Sequence, residues 1–255
     1  MDFTPITKPF LKHRVKQIYK YATDAEQIQR NVLKRLLNTA SGTEWGIRHS
    51  YSNIANYEQF ANSVAVQDYE SLKGYIDRMR RGEKDVLWKG RCKWYAKSSG
   101  TTNDKSKFIP VTPHGLQNAH YKGGFDVVAQ YVANNPSSRI VAGKSLILGG
   151  SHASNYNLPG SLVGDLSAIL IENCSPFVNM FRVPGKDIAL LGDFEEKMDK
   201  IARATSKMDV TNISGVPSWM MAVIKHMLDI TGKASVDELW PNLEVFFHGG
   251  VAFTP

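Results

Sequence analysis

The sequence predicts an α/β fold: a helical N-terminal region followed by a largely parallel sheet with flanking helices. Three observations point there. Residues 1–90 place apolar side chains at helical spacing. After Gly90 the texture changes to short apolar runs alternating with helical stretches, the pattern of strand–helix–strand units. A chain of 255 residues, 42% of them hydrophobic, can also bury a substantial core, as one large domain or two small ones.

Along the chain, Phe10, Leu11, Val15, Ile18 and Tyr19 fall on one face of a first helix, with Lys12, Arg14, Lys16 and Lys20 around the rest. A second helix runs from Thr23 through Ile28, Val32, Leu33, Leu36 and Leu37, with Gly42 as a stop. Asp68 begins another, carrying Leu72, Tyr75, Ile76 and Met79; Arg78, Arg80 and Arg81 lie near its C-terminal end, where cations suit the helix dipole. Strands are expected at WYA (94–96), SLILGG (145–150), TNISG (211–215) and LEVFFHGG (243–250). Helices are expected at about 113–134, 160–171, 193–208 and 217–231. The chain divides at the change of texture, into residues 1–90 and 91–255, which read together as one structural unit. It stops at HGGVAFTP, directly after a strand and a glycine pair where a helix or loop should begin, so the sequence reads as cut.

Thirty-one Lys and Arg against 24 Asp and Glu give a net charge of +7. That excess suits an anionic ligand such as a nucleotide, although general solubility is the plainer account. No basic run is interleaved with aromatic residues as stacking on nucleic acid requires, so nucleic acid is not an expected partner. A basic amphipathic helix at residues 7–21 can lie on a membrane or an acidic partner, but docking on its own domain is the commoner use. Cys92 and Cys174 are too few for a disulfide framework and not spaced as a metal site; two reduced, buried thiols are expected. The N-terminus lacks the apolar core of a signal peptide, and no segment is long enough to span a membrane, so a cytoplasmic location is expected.

The stretch KWYAKSSGTTNDKSKFIPVT, residues 93–112, carries the chemistry. A strand there delivers Ser98 to the edge of a sheet, and in open α/β sheets ligands bind beyond the carboxyl ends of strands. Ser98, Ser99, Thr101 and Thr102 offer hydroxyl donors. Gly100 lets backbone N–H groups approach an anion, and Lys105 and Lys107 add positive charge. The loop is neither a Walker A motif, since Asp104 stands where a glycine is needed, nor G-x-G-x-x-G. Composition alone leaves a phosphate cradle and a solvated Ser/Thr-rich turn equally open.

SSGTT followed shortly by a lysine is similar to the phosphate loop of the acyl-adenylate-forming superfamily. The longer SSGTTNDKSKFIPVT resembles one branch, the auxin-responsive acyl-acid amido synthetases and their bacterial relatives. Two departures stand out: the lysine comes one residue later than usual, and Asp104 lies near a position where many relatives have glycine. The resemblance implies that Ser98, Ser99, Gly100, Thr101 and Thr102 cradle the ATP phosphates and that Lys107 is the motif's catalytic lysine. TNISGVPSWMMAVIKHM, 211–227, resembles the strand, Val-Pro turn and helix that line the superfamily's acyl pocket. By that match Gly215, Val216, Trp219 and Met220 bind the acyl substrate, although a helix buried against the sheet has the same composition. LEVFFHGGVAFTP looks like the strand and Gly-Gly turn that contacts adenine, implying Gly249, Gly250 and Val251 as nucleotide contacts. A glycine pair lets main chain lie against a flat base. His248 beside it can hydrogen-bond a ligand, although a lone histidine at a strand end is more often structural.

The resemblance places the chain in the large domain of an adenylate-forming enzyme. Residues 1–90 would be its helical N-terminal region and 91–255 an incomplete nucleotide- and acyl-binding domain. It implies ATP and Mg²⁺, a small carboxylic acid, and an amine, usually an amino acid. The acid attacks the α-phosphate to give an acyl-adenylate, and the amine then captures the acyl group. The family's later motifs, including its metal-binding acidic residue and ribose aspartate, are not in this sequence, so no metal ligand is assigned and little complete turnover is expected from this piece alone. The competing reading is a truncated, non-catalytic nucleotide- or acyl-acid-binding protein. Oligomeric state is left open.

Overall fold

The structure, a computed structural model, describes residues 2–98 and 106–249. Contacts divide the chain into two compact units. One comprises residues 15–124 and 153–164; the other comprises 1–14, 125–152 and 165–255. These units cut across the expected division at residue 90: residues 15–90 group with the first strands that follow them. Among the described residues the strands are β1 (Trp94–Lys97), β2 (Phe108–Val111), β3 (Lys144–Ile147), β4 (Leu162–Gly164), β5 (Arg182–Val183), β6 (Val210–Ser214) and β7 (Val245–Phe247).

The first unit is built on a three-stranded sheet ordered β2-β1-β4. β1 and β2 form an antiparallel hairpin, with Trp94 opposite Val111 and Lys97 opposite Phe108, whereas β4 runs parallel to β1. Helix Tyr69–Arg80 starts where expected: Asp68 accepts the Ser71 N–H at 2.8 Å, satisfying one of the first-turn donors. Its Ile76 and Met79 enter a core with Val86, Cys92, Tyr95 and Val163. The helical stretch expected from residue 160 instead opens as β4, and its helix starts at Leu166. The run Leu162-Val163-Gly164 has β1 to pair with, and that register outweighs its own preference.

The second unit carries the predicted parallel sheet, ordered β5-β3-β6-β7 with every pairing parallel. Helix Pro217–Thr231 connects β6 towards β7, the crossover that parallel neighbours need. It buries Pro217, Met220, Val223, Ile224 and Met227, a stripe at the 3.6-residue period, and ends at Gly232 with φ +68°. Helix Phe194–Thr205 buries Lys197, Ile201, Ala202 and Thr205 at the same period. Ile201, Ala202, Met220, Val223, Ile224 and Met227 join Leu146, Val210, Ile213 and Trp240 in the larger core.

Two expectations are corrected. On helix Thr4–Thr23 only Leu11 and Val15 of the predicted apolar face are buried, while Phe10 and Tyr19 are exposed. Periodicity defined the stripe, but the neighbouring elements cover only part of it. Cys92 is buried, but Cys174 is only half-buried; both thiols are free. No helix among the described residues is long and apolar enough to cross a membrane.

Candidate functional site

The predicted residues lie at strand ends in both units. In the first unit the Ser98 N–H donates to the Lys107 carbonyl at 3.0 Å, extending the β1–β2 ladder one step past Lys97. Ser98 and Lys107 therefore form the neck of a hairpin whose loop is the serine- and threonine-rich segment. Lys107 is exposed, its ammonium 5.5 Å from the Tyr69 ring centre, and the Tyr69 hydroxyl accepts the Phe108 N–H at 2.9 Å. Two further cations flank the neck. Arg80 stacks over Phe108 at 3.7 Å and donates to the Tyr156 carbonyl, and Lys97 stands 4.3 Å above the Tyr156 ring. Ser99, Gly100, Thr101 and Thr102 lie outside the described residues, as do Gly250 and Val251.

In the second unit β6 ends at Gly215, whose N–H donates to the Phe247 carbonyl at 3.2 Å. Its φ of +155° and the 3.0 Å that would separate an added Cβ from Leu148 Cβ explain why glycine stands there. Val216 caps the following helix and is exposed, and Pro217 takes its first turn. Trp219 is 41% exposed, its ring edge-on to Phe194 at 5.7 Å. Met220 has no exposed surface and is committed to the core. Of the expected acyl contacts, Val216 and Trp219 thus face outward at the carboxyl end of the sheet while Met220 backs them. Gly249 is exposed, with open space where a Cβ would stand.

Next to Trp219 lies a cavity of about 190 Å³ that the sequence did not announce. Its apolar wall is Leu148, Leu191, Phe194, Met198, Ile201 and Trp219; its polar side is Gly149, Gly150, Ser151, Asp165 and Lys197. The Lys197 ammonium is buried and donates to the carbonyls of Gly149 and Gly150 at 2.7 and 2.8 Å. Burial pulls its pKa below the ordinary lysine value, with the Asp165 charge pulling the other way. Asp165 precedes helix Leu166–Asn173 without capping it; instead its carboxylate accepts the Ser151 N–H at 2.9 Å. The Ser167 hydroxyl accepts the Gly150 N–H at 2.8 Å. An added Cβ on Gly150 would stand 2.0 Å from an Asp165 oxygen. The turn after β3 is therefore held from three sides. One trace of this was legible: Lys197 occupies a core position in the helical period with Ile201 and Thr205, where an unpaired charge is not tolerated.

Comparison with known proteins gives a consistent picture. Residues 14–255 match the family model described as the GH3 family N-terminal domain. The indole-3-acetic acid-amido synthetase GH3.17 of Arabidopsis thaliana is 33% identical over 106 residues, covering 40% of this chain and 17% of the relative. The jasmonoyl–L-amino acid synthetase JAR6 of Nicotiana attenuata is 24% identical over 186 residues, 67% of this chain and 32% of the relative. Among solved structures, the GH3.15 acyl acid amido synthetase superposes with a TM-score of 0.67 at 22% identity, covering 86% of this chain and 39% of that one. The matches thus span between about a sixth and two fifths of the length of these relatives.

Proposed function

This chain belongs to the GH3 family, and from that premise we propose that it supplies the nucleotide- and acyl-binding elements of an ATP-dependent acyl-acid amido synthetase. The observation that carries the reading is the β1–β2 hairpin. Its neck, Ser98 to Lys107, is fixed by the ladder, and Lys107 stands exposed at the foot of a loop of hydroxyl side chains. Such a loop can surround a triphosphate with uncharged donors and one cation.

In the proposed first step, a carboxylate oxygen of the acid attacks the α-phosphorus of ATP. The bond to the β-phosphate breaks, leaving an acyl-adenylate and pyrophosphate. In the second, an amine nitrogen attacks the acyl carbonyl and AMP departs. Hydroxyl and N–H donors from Ser98, Ser99, Gly100, Thr101 and Thr102, with the Lys107 ammonium, would oppose the charge that develops on the phosphates. Gly249, Gly250 and Val251 would contact the adenine. Val216 and Trp219 cover the acid's apolar body, Gly215 lets it approach the main chain, and Met220 supports them from the core. No group of three or more His, Cys, Asp or Glu side chains among the described residues is placed to hold a metal. Mg²⁺ would enter with the phosphates and neutralise part of their charge.

The test is carboxylate-stimulated exchange of pyrophosphate into ATP, measured on the native gene product. Exchange that falls about 100-fold in Lys107→Ala, the scale of losing one charge-stabilising donor, is the expected result. Saturable ATP binding with no exchange under any acid would leave a nucleotide-binding protein and overturn the ligase.

A further inference from the structure

We propose that the cavity beside Trp219 selects the acid's tail, and that Lys197 makes it prefer an apolar, single-ring tail ending in a hydroxyl group. The inference rests on the acyl-binding reading above and deepens it. Size comes first. A buried apolar cavity of about 150 Å³ accepts one benzene ring, so about 190 Å³ accommodates one ring with a short substituent. The wall suits such a ring. Trp219 and Phe194 present aromatic surfaces, and Leu191, Met198 and Ile201 supply the aliphatic remainder.

The polar side fixes what the ring should carry. A lysine ammonium has three donors. Two of Lys197's reach Gly149 and Gly150, and no further hydrogen-bond partner stands against it among the described residues. One N–H of a buried cation is therefore left for something in the cavity. Asp165, which also lines it, offers an acceptor. Donor and acceptor together match a hydroxyl, which both accepts and donates. A carboxylate is the poorer match because Asp165 repels it. The acid's own carboxylate also belongs elsewhere: the cavity wall includes none of the residues assigned to the nucleotide. The tail enters and the reacting end stays out.

The arrangement is specific in a second way. Lys197 and Asp165 grip the same three-residue turn, Gly149 to Ser151, so the cavity's polar side is held in place before any ligand arrives. A site organised in advance around an unmet hydrogen bond discriminates strongly against a ligand lacking the group, since the buried donor then stays unpaired.

The experiment needs neither ATP nor a carboxylate, so it separates this inference from the ligase reading. Binding of 4-methylphenol and of toluene to the 255-residue chain is measured by ligand-observed NMR. In the wild type 4-methylphenol should bind at least about tenfold more tightly, the effect of a hydrogen bond to a charged group. In Lys197→Met that preference should vanish or reverse. Lys197→Gln, which can still donate to both carbonyls but carries no charge, should hold the turn yet lose most of the preference. Leu191→Trp, which adds bulk to the wall, should block both compounds. Equal binding of the two compounds by the wild type overturns the proposal, as does a preference that survives Lys197→Met. Undiminished binding in Leu191→Trp places the ligand elsewhere and overturns it too. If Lys197→Met fails to fold, the wild-type ratio and Leu191→Trp decide alone. A tenfold preference without any carboxylate-stimulated exchange would leave this inference standing and remove the ligase.

Discussion

The two units of this protein treat their cations in contrasting ways. In the unit on the parallel sheet, Lys197 sits on the core face of its helix and directs its ammonium at two backbone carbonyls beyond β3. In the unit on the three-stranded sheet, Arg78 lies between Glu44 and Glu83 near the surface, while Arg80 stacks on Phe108 and reaches the Tyr156 carbonyl. The first arrangement leaves a charge poorly solvated and one donor unused. The second gives Arg78 two carboxylates and Arg80 a ring and a carbonyl, although the buried Arg80 Nε keeps no hydrogen-bond partner among the described residues. A cation kept short of partners beside a cavity is suited to holding a ligand; one surrounded by partners holds the fold.

The comparison can be broken or sharpened in three ways. The largest effect should come from neighbours on one helix. Met220→Ala removes a fully buried side chain and should cost about 2–5 kcal/mol by urea denaturation. Trp219→Ala, at the cavity mouth, should cost clearly less yet weaken binding of both small ligands. Equal stability losses would mean that Trp219 serves the core rather than the cavity.

Next comes the turn that Lys197 holds. Gly150→Ala forces a methyl group against Asp165 and should cost about 1–3 kcal/mol, the range of overpacking. Gly249→Ala, with open space around it, should stay within about 0.5 kcal/mol. A harmless Gly150→Ala would show that Asp165 is free to leave the turn.

The smallest effect is in pH: stability should rise with pH in both units, but in separate windows, acidic in one and alkaline in the other. Hydrogen bonds from Arg78 lower the pKa values of Glu44 and Glu83 below the ordinary 4.5. The unfolded chain then binds more protons as the solution is acidified. The stabilisation is complete above about pH 4.5 and lost as pH falls through the lowered values. The stability difference between wild type and Arg78→Ala should therefore shrink in acid, and shrink also in salt because the groups are exposed. Lys197 is lowered below 10.5, so between its folded value and 10.5 the unfolded chain again holds the extra proton. Stability should rise with pH in that alkaline window, and Lys197→Met should abolish the rise. A flat alkaline profile in the wild type would mean the ammonium is better solvated than its burial suggests.

Much of the local structure was legible before any packing was known. Asp68 as a cap, Pro217 as a first-turn residue and the helix to Thr231 follow from rules that act within a few residues. So does the strand that delivers Ser98, where the aromatic pair Trp94-Tyr95 runs into a Ser/Thr-rich turn with one glycine. The adjacent Trp219 and Met220 show where that reading stops. The resemblance named both as acyl contacts and the composition allowed a buried helix as well; a helix turns about 100° per residue, so one of the two is exposed and the other buried.

What the sequence determined by itself was the class of fold, the order of the main strands and helices, and the family-specific loop at 98–107. Those depend on backbone preferences and on motifs read in one dimension. Only the tertiary structure decided that Leu162–Gly164 is a strand, that Phe10 and Tyr19 are uncovered, and that Lys197, Asp165 and Trp219 meet around one cavity. The physical reason is separation along the chain. A period of 3.6 names the residues that share a face, but what that face meets is set by segments 30 or more positions away, as Lys197 is from Gly149 and Gly150.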